Sequence, residues 1–461
     1  MPSRGEFELK RITGIIGENS IEFVKTLLKC LDQGLTVALV DWRIPIDVAL
    51  SMLIENGITE CYIERGKYKN IMATYGIKLI YFSEGQKRAQ TVPEWIYTRY
   101  EEIFSNNSVE DAIVFFSSGT TGGKKGIRLS FFAINKNVDS IIDYMQPSQE
   151  DTILITKSFA HSSTVVGELF VGLKTHAKII IAPTILAPTT VIELLQRYNV
   201  SIWCINPTLL KLYAMQNSRS MIELRTLRKI YVSGSIAEKK VIIDAKKSFP
   251  HSEILNVYGL TEAGPRVSAQ RPQSEIGSVG MPIKGVKIKV MASYGVEAHK
   301  TEIGIIHVYT PSIMNGYLIG EIRPPLVDGW LNTGDLGYVG ENGELFIVGR
   351  CDNMIQHGAH NVFPEEIEQV IKLHPYISDC VVFGARHEFY GEEIICLYVS
   401  KSMYTESMNL RLHCAEHLAP YEIPHKFVQV EALPYNSNGK IMRNEAKRIL
   451  MQENSNDKIQ C

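Results

Sequence analysis

Apolar residues in the first two-thirds of the chain alternate between helical spacing and short continuous runs. Residues 20–33 carry apolar side chains at helical spacing, with Asn19 or Ser20 in front as a cap and Gly34 behind as a stop. Apolar runs of strand length follow at intervals, and amphipathic stretches such as residues 189–198 separate most of them. These runs are TVALVD, KLIYF, AIVFF, TILIT, KIIIA, SIWCI, KIYVS and EILNVY. The alternation predicts an α/β fold with largely parallel sheets.

The pattern changes after about Val279. Short strands with glycine turns (VKIKVMA, GIIHVYT, GELFIVG) predict an antiparallel or barrel-like subregion. The residues after Gly349 alternate helices and strands again and form a block large enough to fold alone. Because 461 residues also exceed the usual size of one hydrophobic core, we expect two domains. They are a large N-terminal domain over residues 1–350 and a small, mobile α+β domain over residues 351–461.

Composition narrows the class of protein. Hydrophobic residues make up 45% of the chain and charged residues 21%, and the net charge of −2 gives no electrostatic reason to bind nucleic acid or an anionic membrane. The N-terminal MPSRGEFELKR lacks the apolar stretch of a secretory signal, and no apolar run approaches the ~20 residues that cross a bilayer. The eight cysteines are scattered without a CxxC pair, which argues against a zinc site or a disulfide framework. We therefore expect a cytoplasmic protein.

One loop combines the groups that bind phosphate. The strand AIVFF runs directly into SSGTTGGKKG, residues 117–126. Glycines let backbone N–H groups turn toward an anion, hydroxyls add donors, and Lys124 and Lys125 add positive charge. The spacing is not that of a Walker A loop, because the fifth residue after Gly119 is Lys124 rather than glycine. The loop therefore predicts a nucleotide-phosphate cradle, and a flexible polar loop between strand and helix is the alternative.

The order of this loop and three later stretches carries a family resemblance. SSGTTGGKKG resembles the signature loop of the adenylate-forming superfamily, which includes acyl-CoA synthetases, peptide-synthetase adenylation domains and firefly-type luciferases. YGLTEAGP, DGWLNTGDLGYVGENGELFIVGRCDNMI and LPYNSNGKIMR follow in the family's order, and GENSIEFVKTLLKCLDQG resembles its N-terminal region. The resemblance covers nearly the whole chain. It implies an enzyme that uses ATP and Mg²⁺ to convert a carboxylic acid into an acyl-adenylate, which is then transferred to a thiol.

The resemblance also implies which residues bind the nucleotide. Tyr258 would stack on adenine, and the Asp335 carboxylate would accept hydrogen bonds from both ribose hydroxyls, which an acceptor-only group can do. The family usually has proline where this chain has Lys124. Taken singly, each residue could be an ordinary core or surface residue. The implied ATP- and AMP-binding residues are Ser118, Gly119, Thr120, Thr121, Gly122, Lys125, Ser233, Gly234, Ser235, Tyr258, Gly259, Asp335 and Arg350.

Catalytic and thiol-transfer residues are implied in the same way. Lys440, in NSNGKIMR, would supply the cation that stabilises the adenylation transition state, whereas a solvated lysine is the commoner fate of this residue type. Thr261 and Glu262 resemble the residues that contact the α-phosphate and Mg²⁺, an ion that prefers hard oxygen ligands. Asp352 matches the family's hinge, and Gly358 would let a pantetheine arm approach the backbone. Gln356 and His360 stand where many relatives carry lysine and arginine.

The acid pocket is the least specific part of the resemblance. SFAHSSTVVGELF has His161 in the region where amino-acid-activating relatives carry an aspartate for the ammonium group. A cation would sit poorly beside an imidazole without a carboxylate partner, so α-amino acids are disfavoured as substrates. His161 could contact the acid, act as a gate or be a packed core residue. The other expected pocket residues are Ser233, Val257, Leu260, Ala263 and Gly264.

Three functions remain open from the sequence. The first is a carboxylate–CoA ligase. The second is a stand-alone enzyme that loads an acyl or aryl group onto the phosphopantetheine of a carrier protein, which the short region before the phosphate loop favours. The third is a degenerate nucleotide binder without catalysis. The presence together of Lys125, Glu262, Asp335, Arg350 and Lys440 argues against the third.

Overall fold

A computed structural model describes residues 11–65, 76–85, 88–118, 124–220, 222–292, 296–319, 326–358, 360–401, 409–436 and 440–456. In this part of the chain the helices are α1 Ile21–Asp32, α2 Ile46–Glu55, α3 Glu94–Phe104, α4 Phe131–Met145, α5 Ser162–Thr164, α6 Phe170–Thr175, α7 Pro188–Arg197, α8 Pro207–Ser220, α9 Lys239–Ser248, α10 Pro364–Leu373, α11 Leu410–Ala415 and α12 Arg443–Asn456. A π-helical turn, Val165–Leu169, joins α5 to α6, and 3₁₀ turns lie at Thr261–Ala263, Cys351–Asn353 and Pro420–Glu422.

The strands of the first two sheets are β1 Ile12–Ile16, β2 Thr36–Val40, β3 Glu60–Glu64, β4 Lys78–Phe82, β5 Gln90–Thr91, β6 Asp111–Ser118, β7 Lys124–Ser130, β8 Thr152–Ile155, β9 Lys178–Ile181, β10 Ile202–Ile205, β11 Lys229–Val232, β12 Glu253–Tyr258, β13 Ser268–Ala269, β14 Met281–Pro282 and β17 Gly316–Tyr317. The remaining strands are β15 Lys287–Met291, β16 Gly304–Tyr309, β18 Leu326–Val327, β19 Trp330–Val339, β20 Leu345–Arg350, β21 Ile355–His357, β22 His360–Val362, β23 Ile377–His387, β24 Gly391–Ser400 and β25 Lys426–Gln429.

Two mixed sheets with parallel centres form the larger part of the fold. The first has the order β17-β7-β6-β2-β1-β3-β4 and is antiparallel only where β7 pairs with β6 and β17. The second has the order β14-β13-β12-β11-β10-β8-β9-β5 and is parallel from β12 to β9. β2, β8 and β10 are buried along their whole length, as expected for strands covered on both faces.

Helix α1 shows how the local sequence sets the element boundaries. The Ser20 side chain accepts a hydrogen bond from the Phe23 N–H at 3.1 Å, which satisfies one of the unpaired donors of the first turn. Gly34 follows the helix with φ of +73°, a conformation that glycine adopts without strain. Of the two predicted capping residues, Ser20 is therefore the cap, and Asn19 is available for another contact.

A third sheet orders its strands β15-β16-β19-β18, with β20 paired to β19, and a fourth orders them β22-β21-β24-β23, with β25 beside β24. Both faces of the β23–β24 pair are buried. One core cluster includes Cys380, Val382 and residues of α10 and α11, and the other includes Val381, Phe383 and residues of α12. The predicted fold class, a mixed α/β protein with a large N-terminal and a small C-terminal α+β part, is confirmed.

Contacts divide the chain into two compact units that are not contiguous in sequence. The expected domain boundary at residue 350 stays a prediction. The second unit is not the C-terminal segment alone, since it also includes two segments that precede residue 350. The first unit comprises Met1–Lys289, His307–Thr333 and Gly343–Leu345, and the second comprises Val290–Ile306, Gly334–Asn342 and Phe346–Cys461.

The described cysteines, namely Cys30, Cys61, Cys204, Cys351, Cys380, Cys396 and Cys414, are all free thiols. Among the described residues, none of the helices combines the length and the hydropathy needed to cross a membrane.

Candidate active site

The carboxyl edge of the second sheet gathers several of the predicted nucleotide residues. β12, β11, β10 and β8 are parallel neighbours, so their carboxyl ends lie at one edge, where ligands bind in open α/β sheets. Residues 233–235 leave β11, with Ser233 buried and Gly234 and Ser235 exposed, and Tyr258, half-buried, ends β12. The segment with His161 follows β8. The topology therefore brings together residues that are far apart in sequence.

Thr261 and Glu262 form a 3₁₀ turn just beyond β12. The Thr261 hydroxyl lies 2.8 Å from that of Ser162, the first residue of α5, so the turn is tied to the segment after His161. The backbone carbonyl of Glu262 accepts a hydrogen bond from the Met314 N–H at 2.9 Å. The half-buried Glu262 side chain offers hard carboxylate oxygens, which fit Mg²⁺.

Two positions of YGLTEAGP have no room for a side chain, because neighbouring atoms lie too close to the Cβ position. A Cβ at Gly259 would lie 2.0 Å from the carbonyl oxygen of Pro265, and Gly264 has φ of +70° with the Ser312 side chain 2.7 Å from its Cβ position. Of the predicted acid-pocket residues, Val257 and Ala263 are buried and Leu260 is half-buried. The turn therefore has a fixed backbone path, and the glycine identities follow from packing as well as from any ligand.

Asn19 holds the segment that carries His161. Its side-chain amide donates to the Lys157 carbonyl at 2.7 Å, and its side-chain oxygen accepts from the Phe159 N–H at 3.0 Å. Asn19 is 5% exposed, so the two hydrogen bonds are shielded from water. The sequence suggested only a capping role for Asn19, because its partners are about 140 residues away.

A carboxylate lies beside His161, which corrects the expectation that this imidazole has no acidic neighbour. The Asp41 Oδ2 atom is 3.9 Å from His161 Nε2. Arg43 contacts both Asp41 oxygens, at 2.9 and 2.6 Å. Burial alone would raise the pKa of Asp41, but the Arg43 guanidinium outweighs it and holds the pKa below its usual value. The negative charge of Asp41 is thus neutralised by the Arg43 guanidinium.

The strands on either side of the predicted phosphate loop, β6 and β7, pair with each other. β6 and β7 pair in antiparallel register up to Ser118 and Lys124, so a strand follows the loop, not the helix of the alternative interpretation. Gly119, Thr120, Thr121 and Gly122 lie outside the described residues. Lys125, at the start of β7, is exposed and its Nζ lies 5.3 Å from the ring centroid of Tyr317.

In the second unit, Asp335 and Arg350 form an ion pair. Arg350 Nη1 donates to Asp335 Oδ1 at 2.8 Å, and Arg350 Nη2 lies 3.5 Å from Asp352 Oδ2. Burial alone would lower the pKa of Arg350, but the Asp335 charge raises it. Gly334 has φ of +70°, and a Cβ there would lie 3.0 Å from Arg350 Nη2, so glycine makes room for the guanidinium. Asp352 lies in an exposed part of the following 3₁₀ turn.

Two hydrogen bonds join the backbone of Lys440 to Asn436. Its backbone N–H donates to the Asn436 side chain, and its carbonyl accepts from the Asn436 N–H, both at 2.9 Å. The residue is exposed, yet partial desolvation lowers the pKa of Lys440, and the nearby Arg350 cation lowers it further. The second unit therefore brings Lys440 within electrostatic reach of the Asp335–Arg350 pair.

Gly358 connects β21 to β22 with φ of +61° and open space at its Cβ position. Its N–H donates to the Tyr390 carbonyl at 2.8 Å. Gln356 is exposed in β21, and the His360 ring stacks on Tyr421 with ring centroids 4.0 Å apart. The backbone at Gly358 is thus fixed in a conformation that favours glycine, and no described atom lies within 4 Å of its Cβ position.

A buried charged cluster beside α5 was missed by sequence reasoning. Lys157 Nζ lies 2.9 Å from Glu168 Oε1, and Glu168, in the π-helical turn, is 1% exposed. Arg266, 2% exposed, packs on Gly167 and also acts on the Glu168 charge. Burial raises the pKa of Glu168, although both cations oppose the shift. The signal in the sequence was a glutamate inside the apolar run VVGELF.

Comparison with known proteins identifies the family. The chain matches the AMP-binding enzyme family over residues 10–318 and the AMP-binding enzyme C-terminal domain over residues 366–440. It is 30% identical over 355 residues to 4-coumarate-CoA ligase 2 of Narcissus pseudonarcissus, covering 73% of this chain and 62% of that ligase. It is 27% identical to the fatty acid–[acyl-carrier-protein] ligase ScoC of Streptomyces coeruleorubidus, covering 94% and 85%.

A solved structure shares the fold. O-succinylbenzoate CoA synthetase (MenE) from Bacillus subtilis, in complex with ATP and magnesium ion, superposes with a TM-score of 0.80 at 22% identity, covering 95% of this chain and 89% of that one. The chain therefore belongs to the AMP-binding enzyme family, and the predicted membership of the adenylate-forming superfamily is confirmed.

Proposed function

We propose that this protein is an AMP-forming acid–thiol ligase. A carboxylate oxygen of the acid attacks the α-phosphorus of ATP, the bond to the β-phosphate oxygen breaks, and pyrophosphate leaves. The sulfur of a thiol then attacks the acyl carbon and loses its proton to solvent, and AMP leaves with the electrons of the carbon–oxygen bond. The proposal rests on the family membership together with the carboxyl edge of the second sheet, where Tyr258, Thr261 and Ser233 converge.

Named residues support each part of the first half-reaction. Glu262 would hold Mg²⁺, because a carboxylate offers the hard oxygen ligands that this ion prefers. The ion would neutralise phosphate charge when bound. Asp335, oriented by Arg350, would bind the ribose diol, and Lys440 would stabilise the charge that grows on the phosphoryl oxygens. Ser118, Lys125 and the loop between them would bind the β- and γ-phosphates. The magnesium-bound relative supports the need for ATP and Mg²⁺.

The acid is proposed to lack an α-amino group. An ammonium group needs an uncompensated carboxylate, and Asp41, the acidic residue beside His161, is already bound by Arg43 at two atoms. Three of the expected pocket residues are buried, namely Val257, Ala263 and Gly264. Leu260 and His161 are partly exposed and would contact the acid.

CoA is the proposed acceptor, and carrier-protein phosphopantetheine is the second candidate. The 4-coumarate–CoA ligase likeness favours CoA, although the chain spans less than two-thirds of that relative. The likeness to ScoC extends over 94% of the chain and favours a carrier protein. Both acceptors present the same pantetheine thiol, so the residues of the first half-reaction serve either.

ATP–pyrophosphate exchange across a panel of aliphatic, aryl and amino acids tests the proposal. We expect exchange with one class of acid that lacks an α-amino group, and none without Mg²⁺. Supplying CoA or a purified carrier protein to the acyl-adenylate then distinguishes the two acceptors. Absence of exchange with every acid, despite ATP binding, would instead establish a non-catalytic nucleotide binder.

Gly358→Ala is expected to slow thiol transfer by at least about tenfold while leaving pyrophosphate exchange unchanged. An alanine in the left-handed region costs about 1 kcal/mol, and its methyl group would occupy the open space over residue 358, where a thiol arm is proposed to pass. Single-turnover thioester formation from the acyl-adenylate measures the effect. Gly57→Ala is the matched control, because Gly57 has φ of +73° and equally open space. Equal slowing in both variants would remove Gly358 from the thiol path.

A further inference from the structure

Three side chains of types that can ligate a metal lie together at the carboxyl end of α11 and in the turn after it. The candidate donor atoms of His413, Glu416 and His417 all lie within 4.8 Å of one another. His413 lies in α11 and His417 in the turn that follows it, and their rings are perpendicular with centroids 5.1 Å apart. His413 is half-buried, whereas Glu416 and His417 are exposed and accessible to an ion from solution. This cluster belongs to none of the nucleotide, acid or thiol residues described above.

The His413 ring is held in the tautomer that a metal ligand needs. Its Nε2 atom lies 2.9 Å from the Val370 carbonyl in α10. Because a carbonyl can only accept a hydrogen bond, Nε2 carries a proton, and in the neutral ring Nδ1 is the nitrogen with a lone pair for an ion. Histidine ligands of metals commonly donate their second N–H in this way to a backbone carbonyl, which fixes the ring orientation.

A third histidine adjoins the cluster. The His374 ring meets His413 edge to face, with centroids 5.1 Å apart. Its Nδ1 atom is buried and has no hydrogen-bond partner among the described residues. A third imidazole with an unsatisfied ring nitrogen therefore adjoins the three potential ligands.

We propose that His413, Glu416 and His417 bind a divalent transition-metal ion of the zinc class at the end of α11. Two imidazole nitrogens and one carboxylate suit Zn²⁺, whereas Mg²⁺ prefers oxygen ligands alone. Metal–ligand bonds of about 2.1 Å set tetrahedral donors roughly 3.4 Å apart, a separation that modest side-chain rotations reach from the observed cluster. The scattered cysteines argued against a zinc site in the sequence, but these ligands are histidine and glutamate.

Zinc titration of the full-length protein in ATP-free, metal-free buffer tests the site, with a chromophoric chelator as competitor. We expect one zinc ion bound per chain at this site, and at least about tenfold weaker binding after His417→Asn or Glu416→Gln, since each removes a ligand. Both residues are exposed, so neither change should disturb folding. His299→Asn, at an exposed histidine elsewhere in the chain, is the matched control and should bind as tightly as wild type.

Cobalt substitution separates this site from binding at a cysteine. Co²⁺ on nitrogen and oxygen ligands gives visible absorption without the ultraviolet charge-transfer band of a thiolate, and His417→Asn should remove the visible band. Any of three results would overturn the proposal. They are a thiolate band in the cobalt spectrum, equal zinc affinity in wild type and both ligand variants, and no zinc binding by wild type. Pyrophosphate exchange should be unchanged in His417→Asn, because the cluster shares no residue with the proposed adenylation site.

Discussion

Lys440→Ala is expected to slow ATP–pyrophosphate exchange by about 10²-fold or more, the scale of losing one electrostatic donor to a transition state. Charge grows on the phosphoryl oxygens and on the leaving pyrophosphate only as the reaction proceeds. A cation that meets this charge therefore stabilises the transition state more than the bound substrates. The Lys440 backbone is held by two hydrogen bonds to Asn436, so truncating the side chain should leave the loop intact.

The two half-reactions distinguish this role from a structural one. Thioester formation from preformed acyl-adenylate should be largely spared in Lys440→Ala, because no phosphoryl transfer occurs in that step. Lys426→Ala is the matched control, since Lys426 lies in the same unit, pairs with Glu393 on the surface and is 56% exposed at its side chain. Equal damage to both half-reactions, or the same loss of exchange in the control, would contradict the proposed role.

Local sequence was sufficient where an element is determined by its own residues. Ser20, the apolar face of α1 and Gly34 act within a few residues of one another, so cap, helix and stop could all be predicted. Buried runs such as TILI and IWCI could be predicted as strands because both of their faces are covered. The placing of Ser233 and Tyr258 in one site came only from the family resemblance, and the parallel order of β11 and β12 explains why these residues lie at one edge.

Long-range polar contacts could not be predicted in this way. Asp41 and His161 are brought together by the ends of strands from two different sheets, and no periodicity in either segment signals the other. The two hydrogen bonds of the Asn19 side chain, one donated to the Lys157 carbonyl and one accepted from the Phe159 N–H, are equally long-range. The antiparallel pairing of β6 with β7 was also missed, because a glycine-rich loop after a strand is compatible with either a helix or a returning strand.

The charged cluster around Glu168 leads to the second large expected effect. Glu168→Gln is expected to lower the free energy of unfolding by about 3–5 kcal/mol, the range for removing one partner of a buried ion pair. The substitution preserves volume and removes the charge, so the buried Arg266 and the Lys157 side chain, which is 10% exposed, lose the Glu168 carboxylate. Urea titration of the purified protein, followed by a probe of the first unit, measures the change.

The magnitude follows from desolvation rather than from the strength of one contact. Glu168 is fully enclosed in the π-helical turn after α5, and the Lys157 side chain is only 10% exposed, so water cannot replace the lost carboxylate. Replacing Lys157 and Glu168 together with methionine should recover part of the loss, because one uncompensated cation is then removed. Glu193→Gln, on the exposed face of α7, should change stability by no more than about 0.5 kcal/mol. If Glu168→Gln unfolded at the same urea concentration as wild type, the predicted loss of stability would be wrong. The charged cluster would then have to be hydrated, and apolar packing alone would stabilise the turn that follows His161.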